Sequence, residues 1–185
     1  VLVGHLAGYH EVPKRWRGGN QVLKEPVSLA LCGDLALTRR LSEGRGCFYD
    51  PKLSRLLQLA DVRAANLEMP LSLPRLSRAP YSHPSLAGCV DACPVLDEFG
   101  FDLLFVATNH CMDSGRKGIL LTRAVAGESR QIIGIGLSED EARRPAYVDI
   151  SGKRIAFLAY CKKGNFTAEG RRAGAALLSR RNMRE

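Results

Sequence analysis

No apolar stretch in this 185-residue chain comes near the roughly 20 uninterrupted hydrophobic residues needed to cross a bilayer, so no membrane-spanning helix is expected. The opening residues, Val1 to Gly8, are mildly apolar but lack a basic leader and a clear cleavage site, and no signal peptide is read there. The first residue is Val rather than Met, which leaves room for an upstream segment. Paired C-x-x-C spacing is also missing. Cys32, Cys47, Cys89, Cys93, Cys111 and Cys161 are scattered, which argues against a zinc framework and for reduced, buried thiols. There are no internal repeats. Acidic residues are outnumbered, 19 against 27 basic ones, for a net charge of +8. That excess lies at the ends: residues 162–185 carry a net +5 and residues 1–25 a net +2, which leaves +1 for everything between. The terminal arginines sit among Gly and Ala with few aromatics for bases to stack on, so a frayed, solvated tail is expected rather than a nucleic-acid surface.

What remains is ordinary for one soluble domain, with 45% hydrophobic and 25% charged residues. Three regions are distinguished: an irregular basic leader (1–25), a folded domain (26–161) and a basic tail rich in Gly, Ala and Arg (162–185). Within the domain, Val27 to Cys32 reads as a strand buried on both faces and stopped by Gly33-Asp34. Asp50-Pro51 opens a helix carrying Leu53, Leu56, Leu57 and Ala60 at helical spacing. Val62 to Leu67 is a second strand, and a Pro- and Ser-rich loop follows from Met69 to about Ser85. A helix ends near Phe99 with Gly100 as its C-terminal glycine, and Leu103 to Ala107 is a third strand. Asp113 or Ser114 caps the next helix, with Ile119, Leu120 and Ala124 as its apolar stripe. Gln131 to Gly136 is a fourth strand, and Ser138 and Glu141 have the spacing of a capping box. A hairpin spans roughly 147–160, turning at Ser151-Gly152. A short helix is expected from about Ala173 to Arg181. Alternating strands and helices predict an α/β fold with a largely parallel sheet and flanking helices.

Three of these strands end alike, in a hydrophobic run followed by polar residues able to bind metal: Gly33-Asp34, Asn66-Leu67-Glu68 and Asn109-His110. In an open α/β sheet the carboxyl ends of the strands form the ligand-binding edge. If the strands are parallel and adjacent, Asp34, Glu68, Asn109 and His110 converge there, a mixed oxygen and nitrogen set suited to manganese, iron or zinc. Taken singly, each has an ordinary explanation: Gly-Asp as a turn, Asn-x-Glu as a cap or solvated rim, Asn-His as a turn pair. Asp113 likewise reads either as a helix cap or as a partner orienting His110.

In their order and spacing these segments resemble the CapA (poly-γ-glutamate capsule synthesis) family. The resemblance is carried by Gly33-Asp34, Ala60-Asp61 leading to Asn66-Leu67-Glu68-Met69-Pro70-Leu71-Ser72, Gly100-Phe101-Asp102, Asn109-His110 with Asp113-x-Gly115, Gly134-Ile135-Gly136, Glu141 to Pro145 and Gly152 to Leu158. It covers about residues 26–161. The family is similar to calcineurin-like metallophosphoesterases, which implies half of their α/β sandwich here. It also implies up to two divalent cations in the full domain and an anionic polymer or phosphate-containing substrate at the cell envelope. By resemblance, Asp34 takes the first-motif carboxylate position, Asn66 and Glu68 the second, and Asn109 and His110 the third. His110 is then a metal ligand or a donor to the substrate oxyanion, with Asn109 beside it in the catalytic motif; Asn66 and Asp113 support the ligands.

Two departures stand out. The family commonly carries Asn-Asn-His, and here Thr108 precedes Asn109-His110. The family also places histidine motifs downstream, whereas the histidines of this sequence are at 5, 10, 83 and 110. The expectation is therefore the N-terminal part of such a domain, without a complete two-metal centre and inactive alone. The competing expectation is a non-catalytic remnant acting by interaction in an envelope assembly.

Overall fold

The computed structural model describes residues 26–39, 51–73, 86–127 and 129–180. In chain order its elements are β1 (Leu29–Leu35), α1 (Pro51–Leu57), β2 (Val62–Leu67), β3 (Leu71–Ser72), β4 (Gly88–Cys89), α2 (Pro94–Phe99), β5 (Leu103–Phe105), α3 (Gly115–Val125), β6 (Gln131–Ile133), β7 (Ile135–Gly136), α4 (Glu139–Ala142), β8 (Ala146–Ile150), β9 (Lys153–Phe157) and β10 (Gly174–Ala175). The principal sheet has the order β1-β2-β5-β6, and every neighbouring pair is parallel. This is the mixed α/β architecture expected, a partial α/β sandwich built on a parallel sheet.

Strand order that follows chain order has a consequence. Right-handed crossovers that always step the same way put every connecting helix on one face. Side chains alternate across the strands accordingly. Ala65, Leu67, Leu104 and Val106 face a core completed by Leu57 of α1, Leu96 and Phe99 of α2, and Ile119 of α3. Val62, Ala64, Leu103 and Ile133 face the other way, toward Ala146 and Phe157 of the β8–β9 hairpin. The hairpin turns at Ser151 (φ 51) and Gly152 (φ 72), the paired positive φ values of a two-residue turn matched to strand twist.

Local signals account for the element ends. After α2, Gly100 adopts φ 64, its N–H donates to Asp97 O, and the Phe101 N–H donates to Leu96 O. Those two bonds close the helix in a Schellman motif. At α4 the Ser138 hydroxyl accepts from the Glu141 N–H, while the Glu141 carboxylate accepts from Leu137 N rather than from the capping residue itself.

Several expectations need correction. β1 is not buried on both faces: it is the edge of this sheet among the described residues, and Leu31 is 66% exposed because the hairpin does not cover it. Gly33 does not end the strand either. It lies in a bulge between Leu31 and Asp34, whose partners are Ala64 and Asn66, and one extra residue on β1 brings Asp34 opposite Asn66. The buried stripe of α3 is Gly118, Ile119 and Thr122, and Leu120 is 46% exposed. Thr122 is buried because its hydroxyl accepts from Leu71 N at 2.8 Å and donates to Gly118 O at 2.8 Å, which pins the helix onto β3. Finally, no helix forms over residues 173–180. Ala173 to Ala176 are buried, and β10 pairs antiparallel with β7. Alanine favours a helix in isolation, but Gly174 lets the backbone approach more closely than any side chain would: an ideal Cβ there would lie 2.4 Å from Phe166 O. Residues 162–180 are thus packed against the domain rather than frayed. The expected leader, residues 74–85 of the expected loop and residues 181–185 lie outside the described residues.

The expected fourth strand is interrupted at Gly134, which adopts φ +89 and joins β6 to β7. A Cβ there would stand 2.7 Å from Ala159 Cβ and 2.8 Å from Ala107 Cβ. Gly134→Ala is expected to lose about 2 kcal/mol from strain and overpacking. Urea unfolding measures it, and a midpoint matching the parent's would show that this junction relaxes freely.

Candidate functional site

Because β1, β2 and β5 run parallel, their carboxyl ends share one edge, and the residues singled out from the sequence meet there as a row. Asp34 is the register partner of Asn66 across β1 and β2. Asn66 Nδ2 donates to Asp34 Oδ1 at 2.6 Å and to Glu68 Oε2 at 3.2 Å. Asn66 and Glu68 are two residues apart, so both point to the same side of the strand. Glu68 Oε1 stands 3.8 Å from His110 Nε2. His110 Nδ1 lies 2.8 Å from Asp113 Oδ2.

The loop after β5 carries His110 because Thr108 folds it back. The Thr108 hydroxyl donates to Glu68 O at 2.8 Å and accepts from the His110 N–H at 3.2 Å. The Asp113 carboxylate lies against His110, and it is Ser114 that stands at the N-terminal cap position of α3. The Asp113 side chain is 0% exposed, and Oδ2 also accepts from the Leu86 N–H at 2.6 Å. Ser114 makes no side-chain cap bond. Asn109 is exposed on the same turn.

Nδ1 faces the Asp113 carboxylate and Nε2 faces Glu68, so an imidazole that donates Nδ1–H to Asp113 would present Nε2 as the metal-ligating or proton-accepting nitrogen. Glu68 and Asp113 flank the imidazole, and the charge of Asp34 acts on Glu68 from the next strand, so acidic groups crowd this edge. Burial pushes the Glu68 carboxyl above its usual range and the charge of Asp34 adds to the push, while His110 and the Asn66 hydrogen bond pull it down. A carboxylate whose folded-state pKa is raised weakens the fold above the ordinary carboxylate range, and that penalty fades as the pH falls through the raised value. A cation beside Glu68 would relieve the same penalty.

The donor chemistry, two carboxylates and an imidazole nitrogen, suits a first-row divalent ion. The arrangement is nevertheless not a finished cage: among the described residues no group of three or more His, Cys, Asp or Glu side chains is placed to hold one ion. The Asn66 amide is the reason visible in the row, since its Nδ2 satisfies Asp34 and Glu68 from the position between them. What sequence reasoning missed is Thr108, whose hydroxyl joins the second and third motifs. The only signal for it was its place directly before Asn109-His110, where it read as a mild departure. Leu86 was not visible at all, because a backbone N–H carries no sequence signature.

The family model described as "Bacterial capsule synthesis protein PGA_cap" matches residues 28–183. Among curated proteins, the chain is 26% identical over 164 residues to the "PGA biosynthesis protein CapA" of Bacillus subtilis (strain 168), a match covering 83% of this chain and 41% of that protein. It is also 26% identical over 137 residues to the "Uncharacterized protein y4sH" of Sinorhizobium fredii (strain NBRC 101917 / NGR234), covering 71% of this chain and 30% of that one. The chain therefore spans less than half the length of these relatives. With the matched span taking in every residue of the row from Asp34 to Asp113, the chain belongs to the bacterial capsule synthesis family PGA_cap.

Proposed function

We propose that this chain serves poly-γ-glutamate capsule synthesis as a domain related to metal-dependent phosphoesterases. Its carboxyl-edge row takes up one divalent cation: manganese, iron or zinc. The observation that carries this reading is the unbroken sequence of contacts Asp34–Asn66–Glu68–His110–Asp113 along one edge of the parallel sheet. Asp34, Glu68 and His110 Nε2 would hold the ion once the Asn66 amide turns from between the two carboxylates, and Asn109 offers a further oxygen from the exposed turn. A bound divalent cation supplies Lewis acidity toward a phosphoryl or acyl oxygen. The chain's own part is to fix the donors. Asp113 holds the His110 ring, Asn66 holds the carboxylates together until the ion displaces its amide, and exposed Arg116, Lys117, Lys162 and Lys163 suit an anionic polymer better than a neutral one. No helix among the described residues is long and apolar enough to cross a membrane.

Titration with manganese, read by the free-ion electron paramagnetic resonance signal, tests the reading. One equivalent should bind, and Asp34→Ala or His110→Ala should weaken binding by at least about 10-fold. A parent chain that takes up no manganese, or variants that bind like the parent, would remove the metal-site reading. That outcome would favour a non-catalytic interaction module, a reading supported by the self-satisfied carboxylates of the row.

A further inference from the structure

We infer that Thr108 is a positioning residue that fixes Glu68 and His110 relative to each other through its single hydroxyl. The inference rests on the proposed cation site only for its purpose; the clamp itself is geometric. A hydroxyl has one proton to give and lone pairs to accept with. Here the proton goes to Glu68 O at 2.8 Å, and a lone pair receives the His110 N–H at 3.2 Å. One buried atom therefore joins the end of β2 to the loop after β5, across 40 residues of sequence.

The surrounding bonds leave little slack. The Thr108 N–H donates to Val106 O at 2.8 Å, and the Asp113 N–H donates to His110 O at 2.9 Å. The Glu68 N–H is held by Leu35 O at 3.1 Å. His110 is thus fixed at its backbone by Thr108 and at its ring by Asp113, while Glu68 is fixed at its N–H by β1 and at its carbonyl by Thr108. The 3.8 Å between Glu68 Oε1 and His110 Nε2 is longer than a hydrogen bond, so this backbone frame, with Asn66 Nδ2 on the Glu68 carboxylate, holds the two groups beside each other.

Thr108→Val keeps the shape and removes both hydrogen bonds, whereas Thr108→Ser keeps both. In Thr108→Val the His110 amide should exchange with solvent much faster than in the parent, and manganese should bind about 10- to 100-fold more weakly, the range for loss of a partner behind a metal ligand. Thr108→Ser should restore slow exchange and parental affinity. If Thr108→Val does not fold, Thr108→Ala removes the same bonds without a second branched methyl and takes its place. A folded Thr108→Val or Thr108→Ala with an undisturbed His110 amide and parental affinity would overturn the inference. So would a Thr108→Ser that loses both properties. If the parent binds no manganese, the site reading fails on its own, and exchange at the His110 amide still decides whether Thr108 is the clamp.

Discussion

Replacing Asp113 with alanine should cost the fold about 3 kcal/mol or more, one of the two largest effects expected for this chain. The side chain is fully buried, and its Oδ2 accepts from two donors, the Leu86 N–H at 2.6 Å and His110 Nδ1 at 2.8 Å. Hydrogen bonds to a charged group contribute roughly 1.5–3 kcal/mol each, and donors left buried without partners add their own desolvation cost. In a domain of this size that loss should lower the melting temperature by about 6 to 12 °C. Asp113→Asn is the informative companion. Its Oδ1 can accept from the same two donors, so it should lose only the charge-assisted part and fall between parent and alanine. Alanine should also release the His110 ring, and manganese binding should weaken beyond the effect of stability alone. Thermal unfolding with and without manganese separates the two. If Asp113→Ala melts within about 1 °C of the parent, the buried carboxylate is not what ties Leu86 and His110 together.

The same residue marks how far sequence reading reached. Strand β2 was legible to the residue, because an apolar run bounded by Asp61 and Glu68 has few alternatives. The Gly100 terminus and the Ser138–Glu141 cap were legible for the same reason: each depends on neighbours within five residues. Convergence at one sheet edge followed from three strands ending alike, and topology did the rest. Other features were set by distant parts of the chain. β1 reads as a buried strand because its residues are apolar, but whether Leu31 is covered depends on how far a hairpin more than 100 residues later extends. The Ala-rich stretch at 173–176 reads as helix from propensity, and a partner strand at Ile135–Gly136 makes it sheet. Asp113 carried two readings of equal local plausibility, cap or His110 partner. A further partner was hidden from the sequence: the Leu86 N–H, which donates to the same carboxylate at 2.6 Å.

The remaining large effect is the near-absence of turnover: the 185-residue chain, supplied with manganese, should hydrolyse a generic phosphodiester at no more than a trace rate. Two-metal hydrolysis holds its ions about 3.5–4 Å apart, with ligands enough to fix each one. The row supplies Asp34, Glu68 and His110 Nε2, with Asn109 exposed beside them. Asp113 is not spare, since its carboxylate is engaged by His110 and Leu86. Asn66 offers a single amide oxygen, and only by giving up its hold on Asp34 and Glu68. On the proposed reading, such a set would fix one ion and leave a second dependent on water. A nucleophile on a poorly fixed ion is badly aimed, and misplacement by about 1 Å can cost on the order of 100-fold in rate. The assay follows release of p-nitrophenol from its bis-phosphodiester, with and without manganese, beside a double variant carrying Asp34→Ala and His110→Ala. The parent should be indistinguishable from that control. Robust turnover in the parent, abolished in the double variant, would show that these few donors suffice, and the one-ion assignment would have to be given up.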